Sequence, residues 1–249
     1  MSPTTEVAIS KAPNELHAPV YRHRDIRGGG ARAAVFGVSD GLVSNASLVF
    51  GMEGAHPAAA AVRLAGIAGL LGGALSMAAG ELISMRAQAE LLERELEIER
   101  TEIARHPEGE RQELVMIYER RGVTPEVARV LAAEMMATPE RALDTHAREE
   151  LGIDPDELGS PVSAALASFA SFSVGALVPL SAVLLASGGA AVALAVVLSA
   201  VAAAAVGAAL GIFSGRTWWR SAARQVGVCA AAAAVTFGLG TAVGRVHGL

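Results

Sequence analysis

Apolar positions dominate five stretches of the chain, about 33–54, 58–80, 161–186, 190–213 and 226–246. Each is long enough to cross a bilayer as a helix, which takes ~20 mostly apolar residues. The last three are nearly free of charge. "SGG" at 187–189 separates the third from the fourth. "SGRTWWRSAAR" at 214–224 separates the fourth from the fifth. Residues 1–30 are polar, hold no apolar run of leader length, and are expected to form a flexible tail.

Between the second and third stretches the pattern changes. No breaker occurs from Gly80 to Arg105, so the second span is predicted to continue out of the membrane as one long helix. "HPEG" at 106–109 stops it. A helix over about 108–121 follows and ends at Gly122. Thr124-Pro125 and Thr138-Pro139 each open a further helix, a polar cap followed by proline at the first helical position. Gly152 closes the last one. The pattern therefore divides the chain into a tail at 1–30, spans one and two at 31–89, an inserted helical domain at 90–158, and spans three to five at 159–249. The fold class is an all-α membrane protein with five transmembrane helices.

Charge sharpens this division. Nineteen of the 25 acidic residues lie between Glu90 and Glu157, against nine arginines, so the insert carries a net charge of −10. Arg22, Arg24, Arg27 and Arg32 precede span one, and Arg216, Arg220 and Arg224 lie between spans four and five. Basic residues stay on the cytoplasmic side. The amino terminus and the acidic insert are then inside, with Trp218 and Trp219 at the inner interface. The chain is 52% hydrophobic but only 4% aromatic, and its apolar content is small residues of the kind that close helix packing in a bilayer favours. Gly66, Gly73 and Gly80 recur at seven-residue intervals along span two, a smooth face for helix contact. The single cysteine, Cys229, excludes an intramolecular disulfide and reads as a packing residue. Nineteen of the 20 basic residues are arginine, in keeping with a GC-rich bacterial genome.

Two carboxylates stand out against the apolar background. Asp40 in "AAVFGVSDGLVSNASLVFG" lies about seven residues into its span, ~10 Å deep at 1.5 Å per residue. A charged aspartate there costs at least ~2.5 kcal/mol. Arg63 and Arg245 fall near the outer ends of their spans, and Arg32 and Arg86 at the inner surface, so no cationic side chain sits at mid-span. A proton or a bound cation is the remaining compensator. Met77, Glu81 and Met85 share one face of span two at spacings of four. Asp40, Met77 and Glu81 together offer carboxylate oxygens, which suit divalent ions generally, and a thioether, which favours softer transition metals.

In the insert, Leu92, Leu96, Glu99 and Ile103 fall on one helical stripe, and Leu91, Ile98 and Glu102 on the next. Glu99 and Glu102 therefore occupy positions where core residues belong. Glu110 leads Leu114, Glu113 leads Ile117, and Val130 and Leu131 lead to Glu134 and Met135. Burying several carboxylates together is unfavourable unless cations neutralise them, so a multi-metal site is expected. Glu90, Glu93, Glu97 and Glu119 read as solvated. His106 and His146 are either ligands or lone surface histidines, the latter being the plainer reading.

These stretches resemble the vacuolar iron transporter family: "GVSDGLVSNASLVFGM" in span one, "GGALSMAAGELISM" in span two, "HAREELGI" at 146–153, and "SGRTWWRSAARQ…VTFGLG" near the end. The resemblance covers about 32–244. It implies a homodimer of five-span subunits that exchanges Fe²⁺, and often Mn²⁺ or other divalent ions, for protons, with no prosthetic group and no nucleic acid partner. It assigns Asp40 and Met77 to the intramembrane path, and Glu99, Glu102, Glu110 and Glu113 to a cytoplasmic metal site. It matches Met135 and Met136 to that site's methionine pair. For a further glutamate near this pair the candidates are Glu140 and Glu134. Some bacterial relatives carry a ferritin-like domain, but the Glu-x-x-His pairs of a di-iron centre do not occur between residues 81 and 158.

The expected protein is then a proton-coupled exporter of divalent metal in a bacterial plasma membrane, or in a vacuolar membrane if eukaryotic. The rival is a membrane-anchored metal sensor or buffer. An enzyme is not expected: the chain has no Walker loop or His-Glu-x-x-His motif.

Overall fold

The computed structural model describes residues 29–152, 154 and 159–247, and among these the regular structure is all helix. The tail expected at 1–30 lies outside the described residues except for Gly29 and Gly30. So do Arg22, Arg24 and Arg27, and the acidic residues Asp156 and Glu157. Eight helices follow in order: α1 (Gly29–Gly54), α2 (Ala59–Arg105), α3 (Pro107–Arg120), α4 (Pro125–Met135), α5 (Pro139–Glu149), α6 (Pro161–Leu185), α7 (Gly189–Phe213) and α8 (Trp218–His247). Five of them, α1, α2, α6, α7 and α8, are long and apolar enough to cross a membrane.

α1 is the centre of the apolar bundle and packs against α2, α6, α7 and α8. Leu42, Ala46 and Phe50 of α1 meet Ala182 of α6, Ala195 and Ala203 of α7, and Cys229 of α8 in one buried cluster. The backbones approach closely because the contact positions lack side chains. A Cβ on Gly175 of α6 would collide with the carbonyl oxygen of Val38, and one on Gly240 of α8 with that of Gly51. The recurring glycines of α2 do not all serve one contact. Gly66 lies against Leu180 and Gly73 against the ring of Phe172, both on α6, while Gly80 has open space beside it.

The unbroken 80–105 stretch is helical as expected, and α2 runs 47 residues, ~70 Å at 1.5 Å per residue. One residue, His106, separates it from α3, so the chain reverses sharply. Proline opens α3, α4, α5 and α6. Thr138 caps α5 by accepting from the Arg141 N–H at 3.3 Å, whereas Thr124 makes no side-chain cap bond. Gly122 and Gly152, just past α3 and α5, take φ of +91° and +68°, the left-handed conformation that ends a helix most easily with glycine. α3 and α4 share their own core of Leu114, Val115, Ile117, Tyr118, Ala128 and Ala132. α5 packs on the far part of α2.

Two boundaries differ from expectation. α1 begins at Gly29, and α8 begins at Trp218 rather than near 226. The arginines of "SGRTWWRSAAR" are too polar for an apolar span, but they are good helix formers. The helix therefore starts before its apolar section does. Trp218 and Trp219 are both more than half exposed, with the Arg220 guanidinium 5.2 Å from the Trp219 ring.

Candidate metal centre

Four side chains from three helices converge beside the reversal at His106. Glu99 comes from the far end of α2, Glu110 from the first turn of α3, His146 from the last turns of α5 and Glu150 from the cap just past it. One ligand atom of each lies within 4.8 Å of the other three. The Nδ1 of His146 is 3.1 Å from Glu99 Oε1, 3.1 Å from Glu150 Oε2 and 3.7 Å from Glu110 Oε2. His146 is wholly buried and Glu99 is 7% exposed. The His146 Nε2 and Glu99 Oε1 are buried without a hydrogen-bond partner among the described residues.

Local sequence explains the convergence. The one-residue break before Pro107 turns the chain at His106, and Glu110, one turn beyond it, comes near Glu99. His146 and Glu150 are one turn apart on α5, so they share a face. Arg121, just past the end of α3, pairs with Glu149 at the end of α5. Arg148 pairs with Asp144 at 2.9 Å and with Asp154 at 2.5 Å, which directs those acids away from the cluster.

The electrostatics of the cluster favour a cation. Burial pushes the Glu99 carboxyl up from 4.5 to about 7; His146 opposes the shift, and Glu150, Glu110 and Glu113 add to it. Burial likewise raises Glu110, against His146 and with Glu113, Glu150 and Glu102. Buried carboxylates this close are relieved by protons or by a divalent ion. Three carboxylates and one imidazole form an oxygen-rich set with one borderline nitrogen, suited to Fe²⁺, Mn²⁺, Co²⁺ or Zn²⁺.

The other residues singled out in the sequence are placed as follows. Glu102 is half exposed and 2.9 Å from His106 Nδ1. Glu113 is half-buried on α3. Met135 and Met136 pack, half-buried, against the Leu114 core. Glu134 is exposed and bonded to Arg141 at 3.0 Å, and Glu140 is exposed in the first turn of α5, so neither carboxylate joins the cluster. His146 is not a surface histidine, as its isolated place in the sequence suggested. It is the best buried member of the site. Glu150, one of several charges in "HAREELGI", also belongs to the cluster. The helical interval from His146 to Glu150 was the available signal.

A second site is an open cleft of the apolar bundle, where Asp40, Ser44 and Ser76 are exposed. Asp40, Ser44, Asn45 and Leu48 of α1, Gly69, Gly73, Ser76 and Met77 of α2, and Phe172 of α6 line one cavity of roughly 340 Å³. Asp40 has no ion pair among the described residues. Arg63 is engaged elsewhere, donating to the Val183 carbonyl at 2.8 Å and to Ser187 Oγ at 3.0 Å. Glu81, one turn beyond Met77, is half-buried and outside the lining of this cavity.

Five apolar helices, a polar cavity among them and a buried acidic cluster on their extension define a multi-pass membrane protein with cation-binding chemistry. The sequence profile of the VIT family matches residues 31–241, and the chain belongs to that family. It is 36% identical over 184 residues to a vacuolar iron transporter of Acanthamoeba castellanii, covering 72% of this chain and 67% of that one. It is 32% identical over 149 residues to vacuolar iron transporter 1 of Eucalyptus grandis, covering 60% of each. Over a shorter stretch of 61 residues it is 56% identical to vacuolar iron transporter homolog 4 of Oryza sativa subsp. japonica, 24% of this chain and 28% of that protein.

Proposed function

We propose that this protein carries divalent metal ions across a membrane, Fe²⁺ first and Mn²⁺ also, moving them out of the cytoplasm in exchange for protons. The observation that carries this reading is the open cleft shared by Asp40 and Met77 on the apolar bundle. A carboxylate held there without an ion pair among the described residues calls for a titrating proton or a passing cation. The names of the relatives point to iron.

In this reading the Glu99, Glu110, His146 and Glu150 cluster gathers metal on the cytoplasmic side, with Glu102 and Glu113 next to it. Because Glu99 and Met77 lie on the same helix, α2 links the cluster to the membrane path. Asp40 alternates between a protonated and a metal-bound state, Met77 biases the path toward transition metals, and Glu81 stands at its inner mouth. The arginines before α1 and around the start of α8 set the orientation, with the insert inside. Two copies pair through faces of α2 that remain open, where Gly72 and Gly80 have no neighbour. The membrane is the plasma membrane in a bacterium, or the vacuolar membrane in a eukaryote.

The test is metal flux into proteoliposomes holding the purified protein under an imposed pH gradient, with a lumenal pH dye. Wild type is expected to move Fe²⁺ and Mn²⁺ with opposing protons, and Asp40→Ala is expected to move neither. No flux above empty liposomes, with tight metal binding retained, would instead identify a membrane-anchored sensor or buffer.

A further inference from the structure

Asn45 is 1% exposed and sits in the middle of α1. Its Nδ2 donates to the carbonyl oxygen of Ala176 on α6 at 2.7 Å. Only the NH₂ end of the amide can make that bond, so the bond also decides which way the other end points. The Oδ1 is buried and has no hydrogen-bond partner among the described residues. It faces α2 at Gly69, where an added Cβ would come within 2.9 Å of it. Gly69 and Asn45 both line the cavity that holds Asp40 and Met77.

An acceptor without a partner in an apolar bundle is costly, because no solvent in the hydrocarbon region replaces the missing bond. Nothing about packing requires an amide here. A branched apolar side chain of the same volume would fill the space without leaving an oxygen unsatisfied. The orientation imposed by Ala176 also prevents the amide from turning away to relieve itself. A carbonyl oxygen fixed in this way is how proteins present a hard, neutral ligand to a cation.

We propose that Asn45 Oδ1 is a cation ligand of the membrane cavity. It stands beside the Asp40 carboxylate as a hard oxygen and opposes the preference that the Met77 thioether gives the site. The balance of Asn45 against Met77 then sets how far the path separates hard from soft divalent ions. The inference rests on the transporter reading.

The experiment measures initial flux of Mn²⁺ and of Cd²⁺ over a range of concentrations in proteoliposomes, for wild type, Asn45→Leu, Asn45→Asp and Met77→Leu. Asn45→Leu is expected to raise KM for Mn²⁺ about tenfold, the scale on which losing one supporting contact at a metal site shows. The KM for Cd²⁺ is expected to move far less. Met77→Leu is expected to shift the two ions in the opposite sense. Asn45→Asp keeps an oxygen in place and is expected to hold or increase the preference for Mn²⁺. If Asn45→Leu changes both ions by the same factor, Asn45 serves packing or holds a water, and the inference falls while the transporter reading stands. If Asn45→Leu does not fold, Asn45→Asp decides, and a weakened Mn²⁺ preference there overturns the inference. Absence of flux in wild type overturns the transporter reading and the inference with it.

Discussion

The imidazole of His146 meets the carboxylate of Glu99 at 3.1 Å, with neither group open to solvent. The two residues sit on helices that the chain brings together only after two intervening helices. Their contact turns a long acidic segment into a defined site. It also predicts how that site behaves.

His146 is expected to control the affinity of the cluster for borderline metals. Replacing it with Ala removes the only nitrogen donor of the group and leaves three carboxylates. Binding of Co²⁺ by the full-length protein should weaken by about 10- to 100-fold. Mn²⁺, which accepts all-oxygen sites more readily, should lose less. Titration of purified protein in detergent, with Asp40→Ala as background to silence the membrane path, measures both. Equal losses for the two ions would show that His146 acts only through packing.

Glu99 should make metal binding at the cluster depend on pH near neutrality. Its carboxyl is raised from 4.5 to about 7 by burial. A carboxyl that stays protonated in the folded state stabilises the fold least where it must ionise. Without metal, the contribution of Glu99 to stability therefore falls as pH rises from about 4.5 through about 7, and the loss is complete above that. Bound metal offsets it by favouring the ionised form. Stabilisation by added Mn²⁺ should thus grow from pH 6 to pH 8. Thermal unfolding with and without metal, in wild type and Glu99→Gln, checks this. Glu99→Gln should flatten the metal-free profile in that range.

The crossing of α1 and α6 should be intolerant of added atoms. Gly175→Ala places a methyl group against the Val38 carbonyl oxygen, which as backbone cannot move aside cheaply. The expected cost is ~1–3 kcal/mol, as for other overpacked cores. Gly227→Ala, where nothing lies nearby, is the matched control. A lower unfolding temperature for the first variant only, in detergent, is the expected result. If Gly80→Ala weakens self-association, that supports pairing of two copies through this face of α2.

The exposed Arg121–Glu149 pair should matter little to stability. Arg121 is 53% exposed, and surface ion pairs contribute about 0–1 kcal/mol. Arg121→Ala should leave the unfolding temperature within a few degrees of wild type. A large drop would mean that the pair positions α5, and with it His146 and Glu150.

Much of the architecture is written locally. Five apolar runs, the Thr-Pro and His-Pro starts, and Gly122 and Gly152 at helix ends are properties of a few neighbouring residues, and helix formation obeys such neighbours. The start of α8 was less legible, because hydropathy marks where a helix becomes apolar and not where its hydrogen bonding begins. Glu99 was legible as a buried position because Leu92, Leu96 and Ile103 share its stripe. His146 has only Ala142 and Ala147 as buried apolar companions on α5, and their small side chains give little periodic signal.

By itself, then, the sequence determined the helices, the membrane spans, the place of Asp40 deep within one of them and the acidic character of the insert. These follow from hydrophobicity, backbone propensity and helical period, all of short range. Only the tertiary structure decided which of the many carboxylates share a site. The sharp reversal at His106 and the docking of α5 on α2 select Glu99, Glu110, His146 and Glu150 from that crowd. The same level of structure decided that Asn45 faces Ala176 with its nitrogen and Gly69 of α2 with its oxygen. Such choices depend on contacts between residues far apart in the chain, which no local pattern records.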